Sequence, residues 1–192
     1  MAFSSLISSV AACRLCAGDI SEPIRPVVQV GSAARVLIAG QAPGRNAQAS
    51  GVPFDEARSE RLLDWMGIAR ATFHNAGRIA ILAMAFCYPG KRKSGDLPPP
   101  AICAATWRAR LLAAIPDIAL ALAIGQYAQR WHIASPHKNL TETVRCWSDQ
   151  SANIIPLPHP SPRNNIRLKK NPWFSEQLLP DLKARVAKAL AA

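Results

Sequence analysis

Acidic side chains are scarce in this sequence. Its 192 residues include 12 Asp and Glu against 23 Lys and Arg, which leaves a formal net charge of +11 although only 18% of the residues are charged. Proteins with so large a basic excess usually contact a polyanion, and nucleic acid is the commonest one. The composition therefore predicts a nucleic-acid partner, and the alternative is a merely basic surface.

Long apolar runs are also lacking. No stretch of 18 consecutive apolar residues occurs, so the sequence predicts no membrane-spanning helix and no membrane partner. The apolar, Ser-rich start from Met1 to Val10 has no basic leader, which argues against a secretory signal peptide. We therefore expect a cytoplasmic protein whose thiols stay reduced. The length and the absence of internal repeats predict one domain over residues 1–192. We expect this domain to act as a monomer.

Short apolar runs alternate with amphipathic segments along the chain. Buried strands are predicted at 35–39, 79–86, 118–124 and 153–157. Helices are predicted at 60–66, 107–115, 126–131 and 175–191. This alternation indicates an α/β fold with three α/β/α layers and a central, mainly parallel four-stranded sheet. Ligands of such folds bind beyond the carboxyl ends of the strands.

The first predicted strand runs into a Gly-Gln-Ala-Pro-Gly turn, formed by Gly40, Gln41, Ala42, Pro43 and Gly44. Its glycines let the backbone approach a ligand closely, and its proline stiffens the turn. This pattern is compatible with a binding loop and also with an ordinary tight turn.

A second segment, Gly51-Val52-Pro53-Phe54, places an aromatic ring in a loop. A loop aromatic beside a polar pocket can stack on a flat base, and the alternative is a hydrophobic core plug.

The third segment is His159-Pro160-Ser161-Pro162-Arg163, followed by Asn164, directly after the last predicted strand. A histidine between prolines has restricted backbone freedom, so its imidazole N–H can be held where negative charge develops on a departing group. The alternative is a surface histidine without a role.

In this order, the three segments resemble the uracil-DNA glycosylase superfamily, above all its small iron–sulfur branch (family 4). That branch carries Gly-Glu-(Ala/Gly)-Pro-Gly, then Gly-x-Pro-Phe, then a late His-Pro-Ser. The resemblance extends from Cys13 to about Lys170. It implies an enzyme of base excision repair that hydrolyses the N-glycosidic bond of uracil or another deaminated base in DNA.

The resemblance also implies roles for individual residues. Phe54 would stack on the flipped base, and His159 would stabilise the leaving base anion. Ser161 would contact a phosphate, and Arg163 would enter the duplex as a wedge. The pocket would be lined, mainly by backbone, at Gly40, Gln41, Ala42 and Gly44.

Four of the five cysteines follow the same resemblance. Cys13-x2-Cys16 and Cys87-x15-Cys103 match the pattern of the branch's four cluster ligands, which implies a structural [4Fe–4S] cluster. A zinc ion with four thiolate ligands would use the same residues, and four unlinked core cysteines are a further alternative. Cys146 is left over.

Basic residues surround these motifs. They are expected to contact DNA phosphates, although a solvated charge run is the alternative. They are Lys91, Arg92, Lys93, Arg167, Lys169 and Lys170.

The sequence departs from the branch's pattern in its pocket. Ala83 stands where the branch has an asparagine that reads the base, and Gln41 replaces the glutamate. Ala47-Gln48 stands where Glu-Asp is common, so the nearest acidic residues in sequence are Asp55 and Glu56. These departures leave three hypotheses: a glycosylase of altered specificity, a lesion- or abasic-site-binding protein with weak or no catalysis, and a basic iron–sulfur protein acting on RNA or nucleotides.

Overall fold

A parallel sheet forms the centre of the fold, in a computed structural model that describes residues 2–20, 22–55, 58–93 and 95–191. The strands are β1 (Val36–Ala39), β2 (Ile79–Ile81), β3 (Lys91–Arg92), β4 (Gly95–Asp96), β5 (Leu120–Ile124) and β6 (Ile154–Leu157). Strands β2, β1, β5 and β6 lie side by side in that order, and every neighbouring pair is parallel. Strands β3 and β4 form a separate antiparallel hairpin. The predicted four-stranded sheet is confirmed.

Helices cover both faces of the sheet. They are α1 (Phe3–Ala11), α2 (Arg45–Ser50), α3 (Arg58–Met66), α4 (Arg70–Phe73), α5 (Ala101–Ala113), α6 (Gly125–His132), α7 (Leu140–Arg145), α8 (Asn165–Lys169) and α9 (Leu179–Ala191). Helices α1 and α5 pack on one face, and α3 and α9 pack on the other. This arrangement confirms the three layers. Among the described residues, no helix is long and apolar enough to cross a bilayer.

Strand alternation divides the core between the two faces. Val36 and Ile38 of β1 pack with the helices α3 and α9, whereas Leu37 packs with α1 and α5. All three side chains are at most 2% exposed. Because both faces are covered, the central strands are continuously apolar rather than alternating. Burying each such side chain contributes about 1.5–3 kcal/mol.

The predicted strand at 79–86 is wrong beyond Ile81. The chain leaves the sheet there, yet Leu82, Met84 and Phe86 stay buried, so burial in a loop explains the apolar run. Two backbone hydrogen bonds, from Met84 N–H to Gly40 O (2.8 Å) and from Ala85 N–H to Gln41 O (3.0 Å), fasten this loop to the turn after β1. The loop thereby holds residue 83 beside that turn.

The other elements agree in place with the predicted ones but differ in length. Helix α5 starts six residues before the predicted segment, at Ala101, and a π-helical turn precedes α9 within the predicted last helix. Helices α1, α2, α4, α7 and α8 were not predicted.

A buried arginine supports the segment after β2. The Arg108 guanidinium donates hydrogen bonds to the carbonyls of Leu82 (3.0 Å) and Ala83 (3.1 Å), and it also contacts Nε2 of His132. Burial lowers the pKa of Arg108 to about 10. Burial, with the nearby Arg108 charge, lowers the pKa of His132 to about 4. At neutral pH the neutral imidazole therefore accepts from a charged guanidinium.

This pair predicts an acid-sensitive step in stability. His132 ordinarily titrates at 6.5, so between about pH 6.5 and about pH 4 the unfolded chain binds a proton that the folded chain does not. We expect the free energy of unfolding to fall through this window, by up to about 3 kcal/mol at its acidic end. Urea unfolding at several pH values between 7 and 4 measures the fall.

His132→Gln is the test variant, because its amide oxygen can still accept from Arg108. In this variant the free energy of unfolding should fall less between pH 6.5 and pH 4 than in wild type. The same change at the exposed His137 should leave the fall unchanged. Parallel pH profiles for wild type and His132→Gln would contradict the assignment.

Candidate functional site

One pocket lies at the carboxyl edge of the sheet, where loops from all four parallel strands meet. The turn after β1 supplies Gly40 to Gly44, and the segment after β2 supplies Ala83. Ile124 at the end of β5 and His159 after β6 complete this side. Pro53 and Phe54 close the pocket from a further loop. The structure thus brings together the predicted pocket residues Gly40, Gln41, Ala42, Gly44, Phe54, Ala83 and His159.

The turn after β1 leaves open space for a ligand. A Cβ placed on Gly40 would meet no protein atom within 4 Å, so it would project into that space. Ala47 on α2 is buried and lines the same pocket with a small side chain. The predicted close approach of backbone to a ligand is therefore sterically possible here.

Phe54 is held in an unusual backbone conformation. Its φ of 57° lies in the left-handed region, where a non-glycine residue costs about 1–2 kcal/mol. The preceding helix α2 is capped at its C-terminus by Gly51, also left-handed with φ 81°. The Phe54 ring makes an edge contact with Phe73 at 5.7 Å between centroids. Such strain concentrates at functional sites, which supports a binding role for this ring.

Replacing Phe54 with leucine should weaken the binding of a duplex that presents an extrahelical base. Stacking on an aromatic ring contributes about 1–3 kcal/mol per base, so we expect roughly a 10- to 100-fold rise in the dissociation constant. Fluorescence anisotropy of labelled duplexes measures it. Phe54→Tyr keeps a flat ring and is the matched control, which should bind like wild type; equal affinity of all three proteins would exclude stacking.

The loop after β6 is tied down at several points. Asn164 donates from Nδ2 to the carbonyl of His159 (2.7 Å), and Ser161 Oγ accepts the backbone N–H of Arg163 (3.3 Å). Arg61 on α3 donates to the carbonyl of Ser161 (3.2 Å) and to Oδ1 of Asn165 (2.8 Å). The loop is therefore fixed to α3, and no motif in the sequence points to Arg61.

A basic groove adjoins the pocket. Of the predicted DNA-binding residues, Lys91, Ser161, Arg163 and Asn164 line it. Arg45, Asn46, Tyr88 and Tyr127 also line it and were not predicted. Five predicted residues are exposed but do not line the groove: Arg92, Lys93, Arg167, Lys169 and Lys170. The concave part of the basic surface is thus smaller than the sequence predicts.

A protein-family model described as "Uracil DNA glycosylase superfamily" matches residues 28–183, which is most of the chain. The chain belongs to the uracil DNA glycosylase superfamily. Members of this superfamily are DNA glycosylases, hydrolases that act on DNA. The superfamily interpretation of the three motifs is confirmed.

This superfamily member carries a pocket carboxylate that its motifs do not reveal. Asp96, in the hairpin of β3 and β4, lines both the pocket and the groove, and Tyr88 donates its hydroxyl to Asp96 Oδ1 (3.3 Å). Asp55 does not line either cavity, and Glu56 lies outside the described residues. The sequence signal that could have found Asp96 is its position in the chain: it follows β2, and the carboxyl end of β2 faces the site.

Two glutamines stand where the iron–sulfur branch has acidic residues, and both form hydrogen bonds with backbone groups of neighbouring segments. Gln41 donates from Nε2 to the carbonyl of Leu97 (2.8 Å). Gln48 is buried, donates to the carbonyl of Pro23, and accepts the backbone N–H of Tyr88 at Oε1 (3.0 Å). A carboxylate could not make the donor bonds, so the amides are required by the local packing.

The four predicted metal ligands line a separate, mostly apolar hollow. Cys13 and Cys16 come from the segment after α1, Cys87 from the loop after β2, and Cys103 from α5. Burial raises the pKa of the Cys103 thiol to about 12, and the nearby Cys16, Cys87 and Cys13 add to this rise. Over the described part of the chain, no three His, Cys, Asp or Glu side chains are grouped so as to hold a metal ion.

Proposed function

We propose that this protein is a monofunctional DNA glycosylase that hydrolyses the N-glycosidic bond of uracil or another deaminated base in DNA. One observation carries the proposal: Phe54 and His159, from distant parts of the chain, line one pocket that opens onto a basic groove. A flat base in the pocket would contact the aromatic ring of Phe54, while the phosphates of the DNA strand that carries the base would lie along the groove.

The groove supplies the means to hold a distorted duplex. Extruding a base costs a few kcal/mol, so flipping needs compensating contacts. Lys91, Ser161 and the exposed Arg163 line this groove. In this proposal Lys91 and Ser161 contact phosphates, and Arg163 enters the space that the base leaves. Affinity should therefore fall steeply with salt, as expected for phosphate contacts.

His159 is the proposed electrostatic catalyst. When the bond between C1′ and the base nitrogen breaks, its electron pair moves onto the base. An imidazole N–H held at the pocket edge stabilises that charge without moving, which is how a preorganised donor lowers a barrier. The anchored backbone around His159 supplies this preorganisation.

The choice of base rests on groups other than residue 83. Ala83 lines the pocket with a methyl group and offers no side-chain hydrogen bond. We propose that backbone groups of the Gly40–Gly44 turn, Gln41 and stacking on Phe54 read the base. Discrimination among deaminated bases should then be weaker than in a site with a dedicated polar side chain.

A panel of duplexes carrying uracil, hypoxanthine or xanthine tests the proposal, with excess enzyme and detection of the abasic product. We expect release of at least one base and, because no described lysine lines the pocket, no covalent adduct with borohydride. Absence of release from every duplex would overturn the proposal. A borohydride-trapped adduct would overturn only the monofunctional assignment.

A second candidate function is lesion or abasic-site binding with little catalysis, favoured by the apolar Ala83 in the pocket. It predicts tight binding of abasic duplex in a gel-shift assay without release of any base. The panel and the gel shift together separate the two functions.

We also propose that Cys13, Cys16, Cys87 and Cys103 hold a [4Fe–4S] cluster, which would place the chain in the iron–sulfur branch of the superfamily. All four thiols line one hollow, which suits a four-thiolate donor set. A zinc ion held by the same four thiolates is the alternative, because the same donor set serves both groups. The proposed cluster has a structural role, because it would join the N-terminal segment to the loop after β2. We propose that the protein acts as a monomer in the cytoplasm, where thiols stay reduced.

A further inference from the structure

The boundary between the pocket and the groove marks where the N-glycosidic bond of a flipped nucleotide would lie. Six residues line both cavities: Gln41, Ala42, Gly44, Asp96, Ile124 and His159. With the base in the pocket and the phosphates in the groove, the sugar and its C1′ atom must lie at this boundary. Of these six, Asp96 and His159 alone have ionisable side chains.

We propose that Asp96 is the catalytic carboxylate that activates the attacking water. This inference rests on the glycosylase function proposed above and adds a residue to it. Asp96 supplies the only carboxylate among the described residues that line the pocket or the groove. His159 serves the leaving base, so the hydrolytic water needs a separate acceptor for its proton, and a carboxylate is a suitable one.

The step balances without a further reactant. The water oxygen forms a bond to C1′, and the bond from C1′ to the base nitrogen breaks with its electron pair moving to the base. One water proton passes to Asp96, and the base anion is stabilised by the His159 N–H. The proton returns from Asp96 to solvent or to the departing base, which restores the carboxylate.

The structure holds Asp96 in place from several directions. Tyr88 is 2% exposed and bonds Asp96 Oδ1 through its hydroxyl. On the other side, Gln41 fixes the carbonyl of Leu97, and the Leu97 N–H donates to Gly90 O (2.9 Å). Because the neighbours are anchored while the Asp96 side chain itself is exposed, the carboxylate can face the cavity without burial.

Positively charged side chains lie around Asp96 and offset its negative charge near DNA. Lys91 lies opposite Asp96 in the backbone register of the hairpin, and the Arg45 guanidinium lies 5.5 Å from the centre of the Tyr88 ring. Arg163 Nη1 lies 3.4 Å from where a Cβ on Gly95 would be. These charges reduce the repulsion between a carboxylate and the phosphates that would otherwise oppose binding.

Asp96→Asn is the test, because it keeps the shape but cannot accept the water proton. With a duplex that wild type cleaves, we expect the saturated single-turnover rate to fall about 100-fold while the half-saturating enzyme concentration changes by less than about threefold. Asp117→Asn, at an exposed site before the amino end of β5, is the matched control and should keep the wild-type rate.

Tyr88→Phe tests the positioning residue by the same two readouts. Its saturated rate should fall about fivefold with unchanged half-saturation, because the carboxylate loses one hydrogen bond rather than its chemistry. Thermal unfolding establishes that each variant is folded. If Asp96→Asn does not fold, Asp96→Glu decides instead: it retains a carboxylate, so it should keep measurable base release with a reduced rate.

The outcomes are separable. If wild type releases no base, the proposed function fails and this inference fails with it. If wild type is active and folded Asp96→Asn retains a rate within about twofold, only the role of Asp96 is overturned. A weaker affinity at an unchanged saturated rate overturns it as well, since Asp96 would then bind rather than catalyse.

Discussion

Replacing His159 with alanine should lower the single-turnover rate of base release by about 1,000-fold. Removing one preorganised donor to a developing anion typically costs about 10²–10³-fold in rate. The measurement is the saturated single-turnover rate with the best duplex of the panel. Binding of that duplex should change little, because the contact strengthens only as charge develops on the base.

His159→Gln is the informative companion variant, since its amide N–H can still donate. It should recover part of the lost rate, whereas alanine at the exposed His137 should have no effect. If His159→Ala retains a rate within about twofold of wild type, the leaving-group assignment is wrong. A loss confined to affinity would instead place His159 in binding.

Replacing Cys87 with serine should remove the proposed cluster and destabilise the protein. Metal binding that occurs only in the folded state contributes its free energy to folding, so loss of one ligand removes that contribution. We expect loss of the broad visible absorbance of freshly purified protein, and a melting temperature lower by about 10 °C, which corresponds to about 3 kcal/mol for a chain of this size.

Cys146→Ser provides the matched control for this experiment. Cys146 follows α7 and does not line the hollow formed by the other four cysteines. It should keep both the absorbance and the melting temperature. A colourless wild type with one zinc per chain would contradict the cluster, and an unchanged melting temperature of Cys87→Ser would contradict its structural role.

The sheet was predictable because its signals are local. The runs at Val36–Ala39 and Leu120–Ile124 are short, apolar and stopped by glycine, which is typical of buried parallel strands. The segment from Leu82 to Phe86 is predicted as strand but forms a loop, because a buried loop carries the same apolar composition as a buried strand. Only tertiary packing, including the hydrogen bonds from Arg108, distinguishes the two.

The pocket was predictable where residues sit in motifs, as with Phe54 and His159. Asp96 was missed because its part in the pocket depends on the fold of the hairpin and on the bond between Gln41 and Leu97, which no local pattern encodes. Arg45 and Tyr127 were missed for the same reason, since each follows a strand by only a few residues but faces a groove built by several loops. The opposite case occurs where basic residues were predicted to bind DNA but lie outside the groove, because the sequence shows charge but not the shape of the surface. These residues are Arg92, Lys93, Arg167, Lys169 and Lys170.

The bond from Gln41 to Leu97 links the residue type at position 41 to the carboxylate at position 96. A glutamate at position 41 would turn an acceptor toward the Leu97 carbonyl and bring a second negative charge into the pocket that Asp96 lines. The neutral amide at position 41 therefore lets this pocket hold its carboxylate at position 96, and an acidic residue at position 41 would require a different partner for the Leu97 carbonyl.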